Sequence, residues 1–421
     1  MATTDRVGVL SGLKVVEFAH MLAAPMSGTL LADLGADVIH VESPGVGDAS
    51  RMIGPEKDGV HLWWKVMARN KRAITLDLRR PEGQAVAHEL VDWADVVITN
   101  MRVRTLERWK LDWKTLHARK PKLIYLCITG DGLGTTDENA PGFGKVGEAR
   151  SGVVSVTGFR DGPPVHTGFS HADTVTGLFG AFGIAAALYR RDEPDFEGEL
   201  VDIALFEPLF RLVDWQVIFY DQFGVVPQRS GNQLAVAPGL VVNTYLTRDE
   251  HWITVTSGTP KSVRNVLDML NLNDEEYMGP SARPDARQVI DDHLRRWIAV
   301  RDADEALKHM RELEVVAEKV HDMADIMESQ LYREREDIIE VDDPDLGTVR
   351  MASVVPKFHH NPGRIWRTGP KQGQDNLEVY TQILELASER IAELVSAGII
   401  SVTNGEANTE NIAEIRNADV L

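Results

Sequence analysis

The stretch LKVVEFAHMLAAPMSGTLLADLGADVIHVE, residues 13–42, decides the fold. LKVVEFA (13–19) is a short run rich in β-branched and aromatic side chains and reads as a strand. APMSGTLLADLG (24–35) reads as a helix closed by Gly35, and ADVIHVE (36–42) reads as the next strand. Strand, helix and strand in so short a span make a βαβ unit, whose strands pair in parallel through a right-handed crossover.

Working outward, the same alternation continues. RAITLDL (72–78) is a strand, followed by a helix opened by Pro81 and ending near Trp93, then by DVVITN (95–100). A helix around 104–119 leads to KLIYLCITG (122–130). The expected architecture is an open, parallel, Rossmann-like α/β sheet. Ligands of such sheets bind beyond the carboxyl ends of the strands, which here carry His20, Ser43, Asn100 and Gly130. No G-x-G-x-x-G follows the first strand and no Walker A sequence occurs, which disfavours a nicotinamide cofactor and nucleotide hydrolysis.

Residues 199–224 read as a strand-to-helix connection, after which the pattern changes. LVVNTYLT and HWITVTSG form an expected hairpin at 240–258, with amphipathic helices near 260–271, 284–300 and 303–314. The organisation expected is a large α/β domain from 1–200 and 331–421, a linker helix at 201–224, and a smaller α+β domain at 225–330. TVRMASVVPKF (348–358) returns to β character, and helices at 376–397 are expected to pack back on the large domain. The polar, acidic tail after Ile400 is expected to be poorly ordered at its end.

Composition narrows the partners. The chain has 421 residues and a formal charge of −19, from 64 acidic against 45 basic side chains, so nucleic acid and anionic membranes are poor partners. The single cysteine, Cys127, cannot form an internal disulfide, and a reducing, cytoplasmic setting fits. The uncharged stretch 174–189 is too short and too glycine-rich to be read as a membrane span, and the N-terminus lacks the features of a signal peptide.

Two features point to chemistry. The first is Asp173, alone at the head of the apolar run 174–189. An aspartate there suits a helix N-cap, and that structural role explains most such residues. The same N–H groups and the helix dipole would also keep the acid ionised and able to attack an activated acyl group. Gly168 and Gly177 flank it, and His171, two residues earlier, is a candidate base. The second feature is basic: Arg69, Lys71 and Arg72 just before one strand, and Arg102, Arg104 and Arg108 just after Asn100. Against an acidic background these clusters suit a phosphate-rich anion, unless they are ordinary solvated charges. No metal-ligand spacing appears around His359 and His360, so no metal is expected.

With those residues in view, the chain resembles the class III CoA-transferase family, the formyl-CoA transferase and carnitine CoA-transferase group (CaiB/BaiF-like). The matching segments are 10–51, 69–83, 95–111, 120–132, 151–177, 198–207, 231–239 and 354–365. The resemblance implies that Asp173, twelve residues after Asp161, is the nucleophile. It implies CoA contacts at His20, Met21, Leu22, Ala23, Lys71, Arg72, Asn100, Met101 and Arg108. It also implies a lid containing Gly231, Asn232 and Gln233, and two subunits threaded into an interlocked homodimer. The expected reaction moves CoA from an acyl-CoA to a free carboxylic acid through aspartyl anhydride and aspartyl-CoA thioester intermediates. CoA is a substrate in it, and no permanent cofactor is expected.

Two departures bear on the substrate. GNQLAVAP has one glycine where the formyl-CoA enzymes have several in a row, which argues against formyl-CoA and oxalate. Phe143-Gly144 stands where many members carry an aromatic residue and an acid, so Glu148 is the candidate carboxylate there. The competing enzyme reading is an α-methylacyl-CoA racemase or related isomerase, which needs an acid/base pair across the α-carbon. His171 and Asp173 are too close in sequence to be obviously opposed in that way.

Overall fold

The structure is a computed structural model that describes residues 7–233, 240–272, 274–278 and 282–401. The tail beyond Ser401, and most of the expected lid loop (234–239), lie outside the described residues.

The chain forms two compact units. The first comprises the residues up to Ser151, Thr167–Leu212, and Arg333 onward; the second comprises Gly152–His166 and Val213–Tyr332. The first unit is built on a six-stranded sheet. Its strands are β1 (Lys14–Phe18), β2 (Asp37–Glu42), β3 (Arg72–Thr75), β4 (Val96–Thr99), β5 (Ile124–Thr129) and β6 (Glu199–Ala204). They lie in the order β3-β2-β1-β4-β5-β6, and every adjacent pair is parallel. The five strands anticipated from sequence are all present. The start of the expected linker helix differs: residues 201–204 extend β6 beside β5, and the helices that follow are Glu207–Leu212 and Trp215–Phe223.

Burial on both faces explains the continuous apolar character of these strands. Val16, Phe18, Ile39, Val41, Val97, Tyr125 and Cys127 face one core, together with Val379, Tyr380, Ile391 and Leu394 from the returning C-terminal segment. The alternate residues Val15, Val38, Val96, Ile98, Ile124 and Leu126 face a second core on the other side of the sheet. That second face is covered by α1 (Ala23–Asp33) and by the twenty-residue helix His171–Arg190, which packs along α1.

The His171–Arg190 helix is long and apolar enough to cross a membrane by length and composition alone. Its glycines have another use. A side chain at Gly177 would overlap Met26, and one at Gly180 would overlap Ser27, so small residues let the two helices touch. Ser27 Oγ donates to the Gly177 carbonyl at 2.9 Å, which fixes this contact.

In the second unit, Val241–Leu246 and Trp252–Ser257 form the expected antiparallel hairpin, extended by Ala317–Lys319 into a three-stranded sheet. Helices Pro260–Leu270, Ala286–Ala299 and Ala303–Glu312 pack on it around Tyr245, Ile253, Leu267 and Leu294.

Candidate active site

The sheet order reverses between β1 and β4, and at this switch point a crevice opens beyond the strand ends. The two loops that leave β1 and β4 are stitched together. The His20 N–H donates to Asn100 Oδ1 at 3.0 Å, and Asn100 Nδ2 donates back to the His20 carbonyl at 2.8 Å. The crevice is a cleft of about 1240 Å³ lined entirely by residues of the first unit. His20, Met21, Leu22, Ala23, Asn100, Met101 and Arg108 all line it, and so does Asp173.

Asp173 lies in the first turn of the His171–Arg190 helix. It is not the N-cap that its position suggested: Ser170 holds that place, and its side chain makes no capping hydrogen bond. Nor is the carboxyl held in the low range expected of a capping acid. Burial, reinforced by the nearby Glu148 carboxylate, pushes it up to about 6. Its own backbone N–H and the Lys145 ammonium offset this only in part. The acid is close-packed as well. It sits directly over Gly144, where any side chain would overlap Oδ2.

Glu148 is fully buried one turn beyond Gly144, in the helix Gly144–Arg150. Lys145 Nζ donates to both of its oxygens, at 2.9 and 3.0 Å, and to the carbonyls of Thr167 and Phe169 at 3.0 and 2.9 Å. Glu148 Oε1 also accepts the His171 N–H at 3.2 Å. These bonds tie the segment 167–171 to the helix below and so set where Asp173 begins its turn. Lys145 was not singled out from sequence, although its spacing of three from Glu148 on a helix is the signal that would have found it. The His171 ring rests against Phe169 with centroids 5.1 Å apart, and its Nδ1 makes no hydrogen bond among the described residues. Gly168 has open space around it rather than a close neighbour.

The two basic clusters part company. Arg102, Arg104 and Arg108 are exposed and line the cleft. Lys71 and Arg72 do not reach it. Lys71 is fully buried, with Nζ 2.9 Å from Glu17 and 2.6 Å from the Pro25 carbonyl. Arg72 is held by Asp37 and Glu378, and Arg69 by Asp33. Carboxylates far away in sequence draw both side chains into the fold.

The described part of the lid segment lies within the second unit. The Gly231 N–H donates to the Gly158 carbonyl at 3.0 Å, Asn232 Nδ2 reaches Thr244 Oγ1 at 2.5 Å, and Gln233 Nε2 reaches the buried Asp291 at 3.3 Å.

An open α/β sheet with a cleft at its switch point, lined by exposed arginines and by an aspartate of raised pKa, suits a large anionic substrate. Residues 10–376 match the model of CoA-transferase family III, and the chain belongs to that family. It is 36% identical to succinyl-CoA–D-citramalate CoA-transferase of Chloroflexus aurantiacus over 93% of this chain and 98% of the relative. It is 34% identical to the beta subunit of succinyl-CoA–L-malate CoA-transferase from the same organism, over 93% of this chain and 98% of the relative. A formyl-CoA:oxalate CoA-transferase of a Bradyrhizobium species is 29% identical over 94% and 99%. Among solved structures, a CaiB/BaiF family protein from Brucella suis superposes with a TM-score of 0.77 at 29% identity, covering 90% of this chain and all of the other. The protein is an enzyme that transfers CoA, with CoA thioesters as substrates.

Proposed function

We propose that the enzyme moves CoA from succinyl-CoA to a small dicarboxylic acid through covalent intermediates on Asp173. The observation that carries this reading is the placement of Asp173. Its carboxylate lies on the cleft floor, with a pKa of about 6 that leaves it ionised at neutral pH yet poorly solvated. The Asp173 carboxylate attacks the thioester carbonyl, forming an acyl-aspartyl anhydride and expelling CoA thiolate. The thiolate attacks the aspartyl carbonyl, releasing the donor acid and leaving an aspartyl-CoA thioester. The acceptor carboxylate repeats the sequence in reverse, which regenerates Asp173 and yields the new acyl-CoA.

His20, Met21, Leu22, Ala23, Asn100, Met101 and Arg108 hold the CoA moiety, with the exposed guanidiniums facing its phosphates. Glu148 and Lys145 support the loop before Asp173, and Gly231, Asn232 and Gln233 open the lid. Two relatives that name succinyl-CoA as donor support the dicarboxylate assignment.

The active form is an interlocked cytoplasmic homodimer, with neither nucleic acid nor membrane as a partner. Exposed Leu178, Phe182, Tyr189, Phe210 and Leu212 in the first unit, and Ile218, Tyr220, Phe223 and Val226 in the second, support burial against a second copy.

The test is to incubate the enzyme with succinyl-CoA, quench with hydroxylamine and map peptides by mass spectrometry. A hydroxamate on the peptide containing Asp173 is expected. An unmodified peptide with each of a pool of acyl-CoAs, together with α-proton exchange from deuterated water, would replace the transferase mechanism with an isomerase one.

A further inference from the structure

Beneath the cleft wall formed by His20–Ala23 lies a row of four buried ionisable side chains: Lys71, Glu17, His40 and Asp48. Each is at most 3% exposed. Lys71 Nζ is 2.9 and 3.0 Å from the two Glu17 oxygens. Glu17 Oε2 is 2.8 Å from His40 Nδ1, and His40 Nε2 is 3.2 Å from Asp48 Oδ2, an ion-pair contact rather than a well-formed hydrogen bond. Burying four such groups is expensive unless their charges alternate and their remaining hydrogen bonds are met. The charges alternate here, and hydrogen bonds join every link of the row except the His40 Nε2–Asp48 ion-pair contact.

Its last member touches both segments that wall the cleft. The two Asp48 oxygens accept the Met21 N–H, each at 3.1 Å. Oδ1 also accepts the Ser50 N–H and the Ser50 hydroxyl, each at 2.8 Å, which caps the short 3₁₀ turn Ala49–Met52. Met21, Ala49 and Ile53 all line the cleft. Met21 adopts φ +65°, a left-handed conformation that costs a non-glycine residue free energy and persists only where its surroundings enforce it. The Met21 N–H is held by Asp48. The Asp48 backbone is held in turn, because its N–H donates to Glu42 Oε2 at 2.8 Å, and Arg51 Nε grips the same oxygen at 2.7 Å.

We propose that Asp48 is a positioning residue for CoA: it locks Met21 in its left-handed turn and joins the two cleft walls, while the His40–Glu17–Lys71 row fixes Asp48 from behind. This rests on the reading of the cleft as the CoA site. It assigns substrate recognition partly to residues that no substrate touches.

The experiment is a double-mutant cycle in the full-length enzyme, read by calorimetric titration with free CoA. Asp48→Ala is expected to weaken CoA binding about tenfold. It should leave the KM for the acceptor acid within about twofold, because the acceptor does not occupy this wall. Glycine takes a left-handed φ without help, so in a Met21→Gly background the same Asp48→Ala change should cost about threefold or less. Equal losses in the two backgrounds would overturn the proposal, since a general structural role for Asp48 would not depend on residue 21. Should Asp48→Ala fail to fold, Asp48→Leu, of similar size but without an acceptor for the Met21 N–H, carries the same cycle. A wild-type enzyme that bound no CoA would overturn the CoA reading of the cleft itself. Wild-type binding with an uncoupled cycle would remove only the role given to Asp48.

Discussion

Asp48, beneath the β1–α1 turn, and Asp173, in the first turn of the His171–Arg190 helix, are both withdrawn from water along one cleft, and their acidities move in opposite directions. Burial alone would raise both. At Asp48 it is outweighed by His40 and by the Ser50 donors, and the carboxyl falls well below the ordinary range. At Asp173 its own N–H offsets burial only in part, Lys145 is already engaged by Glu148 and two carbonyls, and the Glu148 charge adds to the rise. The first aspartate is therefore a fixed anion suited to holding backbone in place. The second keeps unspent basicity, which suits a nucleophile.

The sharpest division between them concerns turnover. Asp173→Ala should lower CoA transfer by a factor on the order of 10⁴ or more, because the covalent path disappears with the carboxylate. CoA binding, measured by calorimetry, should stay within about twofold of wild type, since the walls of the cleft remain. Residual transfer within about tenfold of wild type would mean that Asp173 is not the group attacked. Lys71→Met should do the reverse. Removing the ammonium strands Glu17 in the core and should cost about 3 kcal/mol of stability, seen as a lower urea midpoint at unchanged slope. An unchanged midpoint would show that the buried row contributes nothing to the fold.

Much of this was legible in the sequence, and the parts that were not share one cause. The strands could be read because their apolar runs are local, and the βαβ order then predicts the crevice at the ends of β1 and β4. His20 and Asn100 follow from that placement, whereas Met21 to Ala23 and Met101 were implied by the family resemblance; all of them line the cleft. Asp173 stood out as a lone acid before an apolar run. Its raised pKa did not, because Glu148 reaches it through a separate helix. Lys71 and Arg72 looked like phosphate ligands of the same kind as Arg104 and Arg108. What separates them is Glu17 and Glu378, carboxylates that only the folded sheet and the returning C-terminal segment bring alongside. The Gly177 and Gly180 seam was visible as composition, but its purpose, contact with Met26 and Ser27, belongs to helix packing.

The smallest expected effect tests how Asp173 differs from Asp48, and it appears in a pH profile. If Asp173 must be ionised to attack, kcat/KM should fall as pH drops through about 6, because protonation removes the nucleophile. Glu148→Gln removes the like charge while nearly preserving shape, so the ionised form of Asp173 becomes easier to reach and the acid limb should move to lower pH. The limb should not reach the ordinary carboxylate range, since burial is the larger cause of the shift and stays in place. Lys145, freed from its ion pair, would face Asp173 more strongly and push the limb the same way. A limb that stayed at its wild-type position would exclude Glu148 as a source of the shift and leave desolvation alone to account for it. A limb that moved upward would mean that Glu148 had been holding Lys145 where it stabilises the Asp173 anion, so that its indirect effect exceeds its direct repulsion.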